Sequence, residues 1–256
     1  MHTVFDKIYV ISLITNKERQ EFIKYQMNEL GLEFEFIYGI DYTNLIIDSE
    51  KNPIIYPKVL NNNTNEACNF GCTIGHYQAV LQAYEFGYNN VLIIEDDVCF
   101  IKDKKLIEYY LNNIPKETDF ITWDPRFIKN RHNKKEEFIN LIKENNDQEY
   151  TFLPNDYEYI CGGMMYAIMN KETMLFYLNN QRNWLKMSDH VEGFFENPII
   201  ERYVSNKCLC TDQYNIANNF KSKYYCYNNI YKKIYKLNIK DFYKPKTFKV
   251  FSRQQI

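Results

Sequence analysis

Glycine and proline are scarce in this 256-residue chain, at eight and seven residues. The glycines spell neither G-x-G-x-x-G nor G-x-x-x-x-G-K-[ST], the backbone loops that cradle dinucleotide and P-loop phosphates. Nicotinamide dehydrogenase and P-loop ATPase chemistry are disfavoured accordingly. The seven cysteines form no paired framework: Cys68 and Cys72 stand four apart, Cys208 and Cys210 two apart. Neither spacing has the matching second pair of a structural zinc site, so the expectation is free thiols in a reducing compartment. No apolar run approaches the ~20 residues of a membrane span. The first residues, MHTVFDKIYVISL, lack the charged-then-apolar pattern of a signal peptide. The expected location is the cytoplasm.

Acidic residues are nearly missing from one segment. Residues 221–253 hold ten Lys/Arg and a single acid, Asp241, a local charge of +9. The total is −2, so the rest of the chain carries −11. We therefore divide the chain into a body, 1–220, and a basic, aromatic-rich extension, 221–256. Such a tail is either a solvated extension packed by its aromatics or a contact for anionic surfaces, such as the cytoplasmic membrane face or phosphorylated acceptors.

Hydrophobic residues make up 45% of the chain and charged ones 25%, a globular balance. The 23 Tyr and 18 Phe can fill a core or line a sugar-binding cleft. Apolar Lys7–Leu13 reads as a strand. Thr15 or Asn16 caps a helix with Phe22, Ile23, Met27 and Leu30 at helical spacing, and Gly31 ends it. Phe34–Ile40 is a second strand. This βαβ opening implies a right-handed crossover and a parallel sheet. Residues 42–66 read as a long loop. A helix over Thr73–Phe86 follows Gly71, with Ile74, Tyr77, Leu81 and Tyr84 as its buried stripe. Further helices are expected over Lys104–Asn113, Lys134–Glu144 and Lys171–Asn180. Strands are expected over Asp119–Trp123 and after the Gly162-Gly163 break in Tyr159–Met169. Residues 126–150 read as a charged insertion and 181–220 as irregular. No internal repeat is visible.

The most informative stretch is Val91–Phe100, VLIIEDDVCF. Its apolar run reads as a buried parallel strand, and ligands in open α/β sheets bind past the carboxyl ends of such strands. Three adjacent acids repel one another unless a cation joins them. If the backbone stays extended, side chains alternate, so Glu95 and Asp97 face one way and Asp96 the other. That pair can hold a hard ion such as Mg²⁺ or Mn²⁺. The alternative is a solvated acidic turn capping the next helix.

Three blocks give the chain a resemblance to glycosyltransferase family 25, the lipooligosaccharide-biosynthesis and collagen-galactosyltransferase group. They are YVISLITNKER (Tyr9–Arg19) with FIYGID (Phe36–Asp41), GCTIGH (Gly71–His76), and LIIEDDV (Leu92–Val98). A weaker fourth is GMMYAI (Gly163–Ile168) with Ser188-Asp189-His190 downstream. Gly75 stands where the family has Ser. The resemblance implies a GT-A, Rossmann-like α/β fold, with a mixed, mostly parallel central sheet flanked by helices. It also implies an inverting hexosyltransferase, of galactose or glucose type, that uses a UDP-sugar and Mn²⁺ or Mg²⁺ at a DxD-like motif. The acceptor is then a glycan, a lipid-linked molecule or a protein, and nucleic acid is not a partner.

Transfer from UDP needs charge compensation for a leaving diphosphate and a base for the acceptor hydroxyl. On this reading Asp97 is the main metal ligand and Glu95 its helper, with His190 a third ligand or an exposed loop histidine. Asp96 holds a donor ribose or sugar hydroxyl, and Arg19 contacts phosphate or a carboxylate. Leu13 and Asp41 floor the nucleobase pocket. His76 points at the donor or into the core, and Trp123 stacks on a sugar or packs internally. Asp189 is the first choice for the base, ahead of Asp156, Glu158 and Glu192. Tyr159, Cys161 and Gly162 lie near the acceptor. Two readings compete: a metal-dependent nucleotidyl or phosphoryl transferase, and a non-catalytic binding module with a degenerate transferase fold.

Overall fold

The computed structural model describes residues 1–39, 64–123, 126–127, 132–153, 160–161, 164–181, 200–213, 216 and 238–245. The opening unit is β1 (Lys7–Leu13), α1 (Lys17–Leu30) and β2 (Glu35–Gly39). Gly31 ends α1 in the left-handed conformation, φ 69°, as its position foretold. The chain continues through α2 (Thr64–Glu85), β3 (Val91–Glu95), β4 (Val98–Phe100), α3 (Lys104–Asn112), β5 (Phe120–Thr122) and β6 (Arg126–Phe127). Then come α4 (His132–Glu144), β7 (Tyr150–Leu153), β8 (Ile160–Cys161), β9 (Met165–Ile168), α5 (Lys171–Gln181), β10 (Arg202–Ser205) and β11 (Cys210–Asp212). No helix among the described residues is long and apolar enough to cross a membrane.

Seven strands form the central sheet in the order β2-β1-β3-β9-β5-β10-β7. β1 runs parallel to β2 and β3, and β10 parallel to β5. β9 lies antiparallel between β3 and β5, and β7 closes the sheet antiparallel to β10. Five strands thus share one direction, and this is the mixed, mostly parallel α/β sheet expected. The crossover from β1 leads to β2 on one side, and the crossover from β2 returns past β1 to β3 on its other side. The strand order therefore reverses at β1, and the crevice past the carboxyl ends of β1 and β3 is the switch point where such sheets bind ligands.

Both faces of the sheet are covered. Ile8, Val10, Leu92, Ile94 and Ala167 pack with Ile23, Met27 and Leu30 of α1 and Ile107 and Leu111 of α3. Tyr9, Ile11, Val91, Ile93 and Tyr166 pack with Ala79, Val80 and Ala83 of α2 and Met174, Tyr177 and Leu178 of α5. Alternate residues of one strand therefore serve opposite layers, which is why β1 and β3 are unbroken apolar runs.

Three expectations need correction. α2 begins at Thr64, nine residues before the expected start, with Gly71 inside it. Its buried face also differs: Thr73, Gly75, His76, Ala79 and Ala83 face the sheet, while Ile74, Tyr77, Leu81 and Tyr84 are half-buried. The small residues Gly75, Ala79 and Ala83, four apart, let the helix lie close on β1 and β2. A Cβ on Gly75 would sit 2.8 Å from Ile11 Cγ2. β7, β10 and β11 also arise in or beside stretches read as insertion or irregular; at three or four residues each, pairing rather than local pattern defines them.

The acidic stretch is not one strand. β3 stops at Glu95, Asp96 and Asp97 turn, and β4 leaves the central sheet to pair with β11. On its other edge, β4 is closed by a side chain. The Gln26 amide donates to Val98 O (2.9 Å) and accepts from Phe100 N (2.8 Å), imitating a strand. Further on, Phe242 is fully buried in the core, and Tyr243 N donates to Phe100 O.

Gln26→Leu keeps the size but strands two buried backbone groups, each worth about 1–3 kcal/mol. Urea unfolding of this variant is expected to show a loss of about 2–4 kcal/mol. An unchanged midpoint would refute the role given to Gln26.

Candidate active site

Strand parity distributes the three acids. Glu95 continues the phase of Val91 and Ile93, so it faces α2. Ser12 continues the phase of Ile8 and Val10, so it faces α1. Asp96, entering the turn, meets Ser12 and α1.

Asp96 is 5% exposed. Its Oδ2 accepts from Ser12 Oγ at 2.7 Å and Asn16 Nδ2 at 3.4 Å. Its Oδ1 accepts from Arg19 Nη1 at 3.1 Å. Gln20 steadies the same corner by donating to Leu13 O (2.7 Å) and Ser12 Oγ (3.3 Å). Burial raises the Asp96 pKa, while Arg19, Ser12 and Asn16 pull against it. For Arg19, burial acts against the charge, but Asp97, Asp96 and Glu95 outweigh it and the pKa rises. Asn16 precedes the helix without capping it by its side chain, which is spent on Asp96.

Asp97 lies 3.9 Å from the same guanidinium. Its Oδ1 is buried without a hydrogen-bond partner among the described residues. Burial first, then Glu95, Asp212 and Asp96, push its pKa up to about 7, against the pull of Arg19. Asp212 was not foreseen. It arrives on β11 opposite Val98, and Gln213 N donates to Asp97 O at 2.9 Å. It belonged to a stretch read as irregular, and its one signal was a carboxylate beside the buried Leu209-Cys210 pair.

Glu95 faces away from Arg19's partners, toward α2. Its Oε1 lies 3.1 Å from His76 Nε2 and 3.7 Å from Cys72 Sγ. His76 is fully buried, and its Nδ1 lies 2.8 Å from Tyr166 Oη. The two rings stack at 5.5 Å and 17°. Extended alternation across Glu95 and Asp97 is thus overturned by the turn at Asp96-Asp97. Both acids stay close enough to repel, but they open toward different helices.

The sequence model of glycosyltransferase family 25, described as an LPS biosynthesis protein family, matches residues 5–192. This chain belongs to that family. No curated protein matches the chain. The family makes it a glycosyltransferase, acting between a sugar donor and a glycan acceptor in general. The matched span contains the whole switch point from Leu13 to Asp97.

Of the residues expected from sequence, the structure brings Leu13, Arg19, Glu95, Asp96 and Asp97 to one sheet end, with Leu13 half-buried at the tip of β1. His76 is buried beneath Glu95, so it reaches the surface through that carboxylate. Trp123 is fully buried, edge-on to Phe5 at 6.1 Å. It is a core residue and cannot stack on a sugar. Gly75 lies where α2 presses on Ile11, leaving no room there for the serine hydroxyl that the resemblance led us to expect. Asp41, Asp156, Glu158, Tyr159, Gly162, Asp189, His190 and Glu192 lie outside the described residues. Cys72, Cys99, Cys208 and Cys210 form no disulfide among the described residues.

The raised Asp97 pKa sets a sign for stability. A carboxyl at about 7 folded and 3.8 unfolded binds its proton more tightly in the native state, so stability falls as pH rises through that window. Asp97→Asn removes the cost. In metal-free protein, denaturant unfolding should show the variant more stable than the parent at pH 8, by on the order of 2–4 kcal/mol. Near pH 4 the two should be equal. The same difference at both pH values would refute the assignment.

Proposed function

We propose that this glycosyltransferase moves a hexose from a UDP-sugar to a glycan, lipid-linked or protein acceptor, with inversion and with a divalent ion. The observation that supports the reading is Asp97 Oδ1, a buried carboxylate oxygen without a partner among the described residues, in an acid cluster at the switch point. The oxygen donors there suit Mn²⁺ or Mg²⁺. Asp97 is the residue that would hold it, with Glu95 assisting directly or through water, and His190 as a further candidate. When bound, the ion supplies charge compensation for the departing diphosphate.

The chain's own groups do the rest. Asp96 is saturated by Ser12, Asn16 and Arg19, so its part is to fix Arg19 rather than to touch the donor. Arg19, one-third exposed, presents its remaining donors to a phosphate. Leu13 and Asp41 floor the nucleobase pocket. Asp189 takes the proton of the acceptor hydroxyl as its oxygen attacks the sugar carbon opposite the leaving UDP. A location at the cytoplasmic face of an anionic membrane is part of this reading, and the charge of the basic extension is what supports it.

Thermal shift with UDP and UDP-sugars, each with Mn²⁺ and with EDTA, tests the reading. A ligand at about 100 times its Kd stabilises by about 2.7 kcal/mol. The expected result is an Mn²⁺-dependent shift that Asp97→Ala abolishes while the apo protein still melts cooperatively. A shift indifferent to Mn²⁺, or retained in Asp97→Ala, would overturn the metal assignment.

A further inference from the structure

We propose that Cys72, His76 and Glu95 form a second metal site, one that takes a borderline-soft ion, Zn²⁺ above all; it does not rest on the donor reading, with which it shares one residue, Glu95, whose Oε1 faces this site. Cys72 and His76 are four apart on α2, so they project from one face one turn apart. Strand parity carries Glu95 to the same place. One ligand atom from each residue lies within 4.8 Å of the other two.

Two of the three separations lie close to those of a coordination shell. Tetrahedral Zn²⁺ with bonds of about 2.0–2.3 Å separates its ligand atoms by roughly 3.3–3.6 Å. The observed His76 Nε2–Glu95 Oε1 and Cys72 Sγ–Glu95 Oε1 separations are 3.1 and 3.7 Å. Three protein ligands leave one tetrahedral position for water or an anion. The surroundings are those of a metal-binding imidazole. His76 Nδ1 is held by Tyr166 Oη at 2.8 Å, and the stacked Tyr166 ring fixes its plane. His76 is fully buried while Cys72 and Glu95 reach solvent, so the site is closed behind and open in front. A thiolate and an imidazole select zinc over Mn²⁺ and Mg²⁺, which prefer the oxygen donors around Asp97.

The proton balance is simple. The Cys72 thiol releases its proton to solvent. Nε2 must also give up the proton it shares with Glu95 Oε1 in the free site, so that the ion meets a bare ring nitrogen while Nδ1–H donates to Tyr166 Oη. Binding releases protons, so affinity rises with pH.

The test is Co²⁺ titration of the full chain, stripped with chelator and kept reduced. One equivalent should produce a near-ultraviolet thiolate-to-cobalt charge-transfer band and visible bands of a tetrahedral ion. Zn²⁺ should bleach both, and excess Mn²⁺ should leave them. Cys72→Ser should lose the charge-transfer band. Glu95→Gln should keep that band but weaken cobalt binding about tenfold or more. No charge-transfer band, or one that survives Cys72→Ser in a cooperatively melting protein, would overturn the proposal.

Discussion

A strand buried on both faces has no solvent side on which to place a charge. β3 obeys this for four residues, Val91 to Ile94, all fully buried. The acids that follow are sorted by the same constraint: each must find partners in whichever layer its parity assigns. Glu95 falls to α2, where His76 and Cys72 receive it. Asp96 falls to α1, where Ser12, Asn16 and Arg19 satisfy it. Asp97, past the end of the strand, inherits neither set in full.

That inequality sets Asp97 apart from its two neighbours. Asp96 is structurally complete and serves as the anchor for a guanidinium. Asp97 is left with a buried oxygen that has no hydrogen-bond partner among the described residues, and burial first, then the charges of Glu95, Asp212 and Asp96, raise its pKa to about 7 against the pull of Arg19. Pairing Asp97 fully would have stabilised the fold more, and it would have closed the position to any ligand. Strain of this kind concentrates at functional sites because groups that must bind something else cannot be satisfied by the protein itself.

The turn at Asp96-Asp97 also depends on material far along the chain. β4 departs from the central sheet, so its two edges need other partners. β11 supplies one, and the Gln26 amide supplies part of the other. Gln213 N binds the Asp97 carbonyl. Residues 26, 97 and 212 are therefore held as one unit although separated by most of the sequence. Phe242, from the basic extension, is buried in the same layer, which ties that end of the chain to the support of the site.

Local features were legible in the sequence because their causes are local. Apolar runs long enough to cross a sheet gave β1 and β3, helical spacing and Gly31 gave α1, and three acids after an apolar run marked the sheet end that holds the site. The start of α2, its buried face and the short strands β7, β10 and β11 were not legible, because close approach at Gly75 and pairing with distant strands define them. The same division runs through the site. That Glu95, Asp96 and Asp97 sit together is written in the chain. Which acid meets Arg19, which meets His76, and that Asp212 joins them are set by where β3 stops and what pairs with β4. Those are contacts between residues 19 to 117 positions apart, and short-range periodicity carries no information about them.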